Sequence, residues 1–224
     1  MKSPLALLVL VLALAGCERE PEPNVYRPGG SYQNVLDARG KRIIVRDGDG
    51  ATLGKWRERD ESLRVYGPDM ILLGEVSWDE AKDRVEVIPR AAEPVWLAKT
   101  SDGVWQLPGR LRLERVANGW GIFDASSRRL GYVAEVEPGK FALRDDYSSS
   151  PRAFARREEA SVMTPAGAVV INGNPATNAV RLLPFAIEGL DNLTRAALAT
   201  WLLNADVAHG ADAPPCPRDA GPPC

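Results

Sequence analysis

VRDGDGATLG, residues 45–54, sets a frame that VYGPDMILLG at 65–74 and IFDASSRRLG at 122–131 repeat. Each opens on a β-branched residue, carries Asp or Gly two places on, and ends in Leu-Gly at the ninth and tenth places. Asp and Gly tolerate turn geometry, and two to four polar residues suffice to reverse an extended chain. The frame is therefore a hairpin, with a second strand starting at its leucine. Leu143-Arg144-Asp145 repeats the opening of the frame, and Val35-Leu36-Asp37 before Ala38-Arg39-Gly40 does so less fully.

The flanking sequence carries the same period. In Arg110-Leu111-Arg112-Leu113-Glu114-Arg115-Val116, Leu111 and Leu113 face inward while Arg110, Arg112 and Glu114 face out. Val85-Glu86-Val87 and Val95-Trp96-Leu97 add further strands. About ten to twelve short strands at this spacing predict a mainly β fold, an antiparallel barrel or closed meander. The pattern changes after Asn178. Residues 179–190 are strongly apolar, with Pro184 interrupting or beginning any helix there. Asp191 then caps a helix over Asn192–Asn204, where Leu193, Ala197 and Trp201 recur at four-residue steps beside Leu198 and Leu202. The class is α+β overall, a barrel of hairpin repeats with a C-terminal helix.

A string of such hairpins closed by a C-terminal apolar helix resembles the tubby and LURP-one group, whose β-barrel is threaded by its own C-terminal helix. The resemblance covers residues 31–204 as one domain. It implies a membrane-associated or lipid-interacting module with no known catalytic site. Pro184, Gly189 and Asp191 depart from that pattern, and leave open one central helix or two short ones.

The N-terminus gives the address. Lys2 precedes an almost unbroken apolar run at 4–14, shorter than the ~20 residues that span a bilayer and matched in length to an export leader. Leu14-Ala15-Gly16-Cys17 resembles the lipobox of bacterial lipoproteins. That family implies alkylation of the Cys17 thiol with diacylglycerol, removal of residues 1–16, and acylation of the new amino group. Two or more acyl chains, at about 0.8 kcal/mol per buried CH₂, anchor a protein stably. In that family an Asp after the cysteine often retains the protein in the inner membrane, so the resemblance implies that Glu18 sends this chain to the outer membrane if the cell has one. Residues 17–30, with EREPEPNVYRPGG from Glu18 on, are Pro-rich, charged and without apolar period, and read as a tether. Residues 205–224 are rich in Ala, Pro, Gly and Asp and read as a disordered tail.

Cleavage before Cys17 leaves 208 residues and 27 of the 28 basic side chains against 30 acidic ones. That balance is no footprint for nucleic acid. Of three cysteines, Cys17 is expected to carry lipid, and Cys216 and Cys224 to form a disulfide in the oxidising compartment that export implies, the alternative being two free thiols or a bond to another chain. Asn192-Leu193-Thr194 matches a glycosylation acceptor, but it starts a helix in a bacterial exporter.

Chemistry-bearing groups are sparse. His209 is the only histidine, so neither a Ser/Cys–His pair nor a common zinc site can be assembled within the β-rich part. Asp47-Gly48-Asp49-Gly50 with Glu58 evokes a calcium loop, but Ala51 and Thr52 stand where its fifth ligand and glycine belong. Asp145-Asp146 could do acid–base work only in a turn, since strand neighbours point to opposite faces. Arg144, Tyr147 and three serines make a solvated turn the simpler role. Arg110, Arg112 and Arg115, with Arg152, Arg156 and Arg157, could gather lipid phosphates. Glu114, Glu158 and Glu159 also allow a solvated strand face. Six tryptophans (56, 78, 96, 105, 120, 201) read mainly as core, with a sugar- or lipid-stacking surface as the alternative. The expected function is a lipid-anchored, non-catalytic envelope protein that binds or scaffolds, without cofactor or metal. A lipid- or glycan-binding module using Arg and Trp comes second, and a carboxylate hydrolase third.

Overall fold

A computed structural model describes residues 42–59, 62–173 and 178–204. Cys17, Cys216, Cys224, the tether and Val35-Leu36-Asp37 lie outside the described residues. The strands are β1 (Arg42–Asp47), β2 (Thr52–Arg59), β3 (Ser62–Tyr66), β4 (Leu72–Asp79), β5 (Arg84–Pro89), β6 (Val95–Lys99) and β7 (Trp105–Leu107). They continue with β8 (Leu111–Val116), β9 (Gly119–Asp124), β10 (Arg129–Glu137), β11 (Lys140–Arg144), β12 (Ala153–Arg156), β13 (Ser161–Met163) and β14 (Val169–Asn172). All pair antiparallel with their sequence neighbours, and β1 pairs with β14 to close a barrel. Fourteen strands exceed the ten to twelve expected because β7, β12, β13 and β14 are only three or four residues long. Such lengths are too short to display a period of two.

The three framed stretches form the hairpins β1–β2, β3–β4 and β9–β10, and they share one local structure. The amide at the third place donates to the carbonyl at the seventh: Asp47 to Ala51, Gly67 to Ile71, Asp124 to Arg128. The sixth place is left-handed each time, at φ +90° for Gly50, +64° for Met70 and +66° for Ser127. Asp47 Oδ1 accepts from the amides of Asp49 and Ala51, and Asp124 Oδ1 from those of Ser126 and Arg128. Where Gly67 replaces the aspartate, Asp69 Oδ1 fills the space and accepts from Ile71. The tenth-place glycine pairs with the first-place residue: Val45 with Gly54, Val65 with Gly74, Ile122 with Gly131. The second place pairs with the eighth, so the ninth-place leucine is the extra residue of a β-bulge. The second strand thus starts one residue earlier than expected. Leu53, Leu73 and Leu130 are half-buried against the core. Their carbonyls accept from Asn192 Nδ2 (3.0 Å), the Arg90 amide (2.9 Å) and Arg152 Nη2 (3.4 Å).

An αL backbone costs an L-residue about 1–2 kcal/mol, and part of that gain is returned as glycine's greater chain entropy. Met70→Gly should therefore raise stability by up to about 1 kcal/mol, read as a higher denaturant midpoint. A lower midpoint would show that the turn does not strain Met70.

Because strands alternate in direction, turns after odd-numbered strands gather on one rim, the upper, and the others on the lower. The 3₁₀ segment Ala179–Ala186, which accommodates Pro184, and helix α1 (Asn192–Asn204) form two separate pieces inside. The 3₁₀ segment packs against β11 to β14, and α1 against β3 to β5. Asp191 caps α1 as expected, with Oδ1 accepting from the Thr194 amide at 3.0 Å, and Arg110 reaches Asp191 from the β7–β8 turn. Arg195 links the two pieces by donating to the Ile187 carbonyl (3.3 Å) and lying over the Phe185 ring. From the upper rim, where Asn192 touches Leu53, α1 runs down to Trp201. There it meets Trp105 and Trp120 edge-on at 5.9 and 5.1 Å. Leu193, Ala196, Ala197, Leu198, Ala199, Trp201 and Leu202 are all buried, so the helix is wrapped rather than laid on one face. No helix among the described residues is long and apolar enough to cross a membrane.

Candidate functional site

Inward residues of the strands are almost wholly apolar. Outward ones carry the charge on β2 to β5, whereas on β9 to β11 the outward Gly121, Phe123, Tyr132, Ala134 and Ala142 are uncharged and buried. Val85, Val87 and Leu97 are buried, while Arg84, Glu86 and Trp96 face out. A membrane-spanning barrel shows the reverse alternation on strands of about nine to eleven residues. Whatever this barrel engages must meet its outer wall or its rims.

Most of the sequence-derived candidates resolve into structural roles. Asp47 spends its carboxylate on turn amides, and Glu58, at the far end of β2, pairs with Arg181 of the 3₁₀ segment. Among the described residues no three His, Cys, Asp or Glu side chains converge as metal ligands. Asp145 pairs with Arg152 at 3.0 Å in the β11–β12 loop. Asp146 accepts from the Ser148 hydroxyl (2.7 Å) and from the amides of Ser148 and Ser149 (2.8 and 2.9 Å). These bonds, the Ser148 hydroxyl foremost, hold the Asp146 carboxyl below its ordinary range. A general acid needs the opposite displacement.

The two arginine groups do not merge. Arg112 and Arg115 lie on β8 and Arg156 on β12, four strand spacings or roughly 19 Å apart around the wall. Arg110 pairs with Asp191, Arg112 with Glu114, Arg152 with Asp145 and Arg156 with Glu159. Arg115 and Arg157 lie over the rings of Trp120 and Phe141.

Five of the six tryptophans belong to packing. Trp56, Trp105, Trp120 and Trp201 are buried, and Trp78 packs half-buried against the core, near Trp105. Trp96 is the exception, 37 % exposed on the outer wall of β6. Its Nε1 donates to Glu86 Oε1 at 3.3 Å, directly across on β5. The Arg84 guanidinium sits 4.7 Å from its ring centroid and is itself held by Asp79 at 3.3 Å. Beside it, an open hollow of about 350 Å³ is lined by Arg84, Trp96, Ala98, Lys99, Thr100 and Gln106, with Val95 and Pro108. Ala98 pairs with Arg84 on one side and Gln106 on the other, and its small side chain makes the depression. The sequence reading did not single out Arg84, Glu86, Lys99 or Gln106. The signal was available in alternation: inward Val95 and Leu97 force Trp96 outward, and inward Val85 and Val87 do the same for Glu86.

A second surface feature is the upper rim. Met70 and Ile71 in the β3–β4 turn, Tyr147 in the β11–β12 loop and Val169 at the start of β14 are exposed there. The start of β1 and the end of α1 lie on the opposite rim. Searched against protein-family models, curated proteins and solved structures, the chain matches none of them.

Proposed function

We propose that this is a lipid-anchored bacterial envelope protein, held in the outer membrane through Cys17, that binds or scaffolds rather than catalyses. One observation carries the non-catalytic half of this reading: the barrel interior is filled by the chain's own 3₁₀ segment and helix. A barrel of this strand number otherwise encloses a channel or ligand cavity. Here the surfaces left for partners are the charged wall and the upper rim with Met70, Ile71 and Tyr147. The upper rim, opposite the start of β1, is the surface we assign to an envelope-protein partner.

The anchor is tested by growing a bacterium that expresses the full chain with labelled palmitate. Wild type should carry the label and sediment with membranes, whereas Cys17→Ser should lose the label and be left uncleaved or soluble. Label that persists in Cys17→Ser would overturn the assignment.

A further inference from the structure

Trp96 stands apart from the other tryptophans not by exposure alone but by how firmly it is fixed. A tryptophan left in water usually forgoes about 1.5–3 kcal/mol of burial, and nothing in folding requires it to be held still. Here Glu86 takes the indole N–H, Arg84 covers part of the ring, and Asp79 fixes Arg84. A pre-ordered aromatic platform costs little rotamer freedom when something stacks on it. Ile88, two residues from Glu86 on the same outward face, extends the exposed apolar surface beside it.

The polar groups around the platform define what could stack. Arg84 supplies a cation, and Thr100 and Gln106 belong to the lining of the same hollow, whereas Lys99, opposite the buried Trp105, starts from the inner face of β6. The carboxylates nearby are engaged, Glu86 with the indole and Asp79 with Arg84. About 350 Å³ falls in the lower part of the usual range for small-molecule sites. The hollow opens sideways on a wall whose interior is filled, so it has no channel for an acyl chain. A flat apolar ring face, several hydroxyls and one negative charge are the features this lining satisfies together.

We propose that the Trp96 hollow binds an anionic sugar residue, a pyranose carrying a carboxylate or a phosphate. Its ring stacks on Trp96, its acid group meets Arg84, and its hydroxyls meet Thr100 and Gln106. The inference is independent of Cys17 and stands or falls apart from the anchor.

The test follows the indole N–H signals of the full chain by NMR, in a detergent that carries no sugar. The Trp96 signal is assigned by its loss in Trp96→Phe. Glucuronate, glucose 6-phosphate, glucose and inorganic phosphate are titrated separately. At least one of the two acidic sugars should move the Trp96 signal saturably, with glucose at least about tenfold weaker and the signals of Trp105 and Trp201 unmoved. Which acid binds more tightly identifies the acid group. Arg84→Gln should weaken that sugar several-fold while the buried indole signals keep their positions, as a loss of charge-assisted bonds predicts. The proposal is overturned if no probe shifts Trp96 saturably or if glucose matches the acidic sugars. It is equally overturned if inorganic phosphate alone matches them, or if Arg84→Gln binds as wild type does.

Discussion

Trp201→Ala should lower the stability of this protein by about 3–5 kcal/mol, as large aromatic truncations in cores do. Trp201 has no exposed surface and packs edge-on against Trp105 and Trp120, so its removal empties the contact between α1 and strands β7 and β9. Edge-to-face pairs add about 0.5–1.5 kcal/mol beyond buried area, and two are lost together. Single domains are typically stable by about 5–15 kcal/mol, so the variant would sit near unfolding. Trp96→Ala is the matched control, since it removes the same side chain from the outer wall and should change the midpoint little. Equal midpoints for wild type and Trp201→Ala would contradict the interior placement of α1.

The second large effect belongs to the tenth place of the hairpin frame. A Cβ added at Gly74 would lie 2.4 Å from the Ile88 carbonyl oxygen and 3.0 Å from the Pro89 Cα, both backbone atoms of the neighbouring strand. Strands β4 and β5 would have to separate, and Gly74→Ala should cost about 2–3 kcal/mol, toward the upper end for overpacking. At Gly54 the nearest atom is Asn192 Nδ2 at 3.0 Å, a side chain that can yield by giving up its bond to the Leu53 carbonyl. At Gly131 the nearest contacts are 3.2 Å, one of them a leucine methyl. Denaturant midpoints at unchanged m should therefore fall in the order Gly131→Ala, Gly54→Ala, Gly74→Ala, the last being lowest. A Gly74→Ala variant no less stable than Gly131→Ala would show that the β4–β5 register is wrong.

The hairpins were legible because their frame carries both a turn and a packing constraint. Asp47 and Asp124 cap their turns, and Gly54, Gly74 and Gly131 allow close approach. A fourth copy, VMTPAGAVVI at 162–171, escaped notice although its turn is built the same way. Its Thr164 amide donates to the Ala168 carbonyl, Gly167 is left-handed at φ +83°, and Val162 pairs with Ile171 around the bulge residue Val170. Thr164 Oγ1 accepts from the Ala168 amide at 3.1 Å, as the aspartates do elsewhere. Val170-Ile171 replaces Leu-Gly, and the frame is lost to inspection while its physics survives. The β6–β7 turn shows the converse: Thr100 and Gly103 form the same loop, yet Ala98 pairs with Gln106 without a bulge. The bounds of α1 were readable from its cap and period. That β3 to β5 and the 3₁₀ segment would enclose it between them was not, because a stripe of Leu193, Ala197 and Trp201 describes one face only. The closure of β1 on β14 rests on two residue pairs, Arg46 with Asn172 and Asp47 with Ile171, more than 120 residues apart in sequence and outside any local pattern. Trp96 was named with five others, and its separate role emerged only from its partners across the strands.

Everything proposed for the outer wall follows from an interior closed by the chain itself. Native-state hydrogen exchange on the full chain addresses that directly. The amides of α1 should exchange only through global unfolding, with the same opening free energy as the best-protected amides of β9 and β10. Exchange of α1 through a cheaper local opening, while β9 and β10 stay protected, would mean that the helix can leave the barrel and that the interior is not closed.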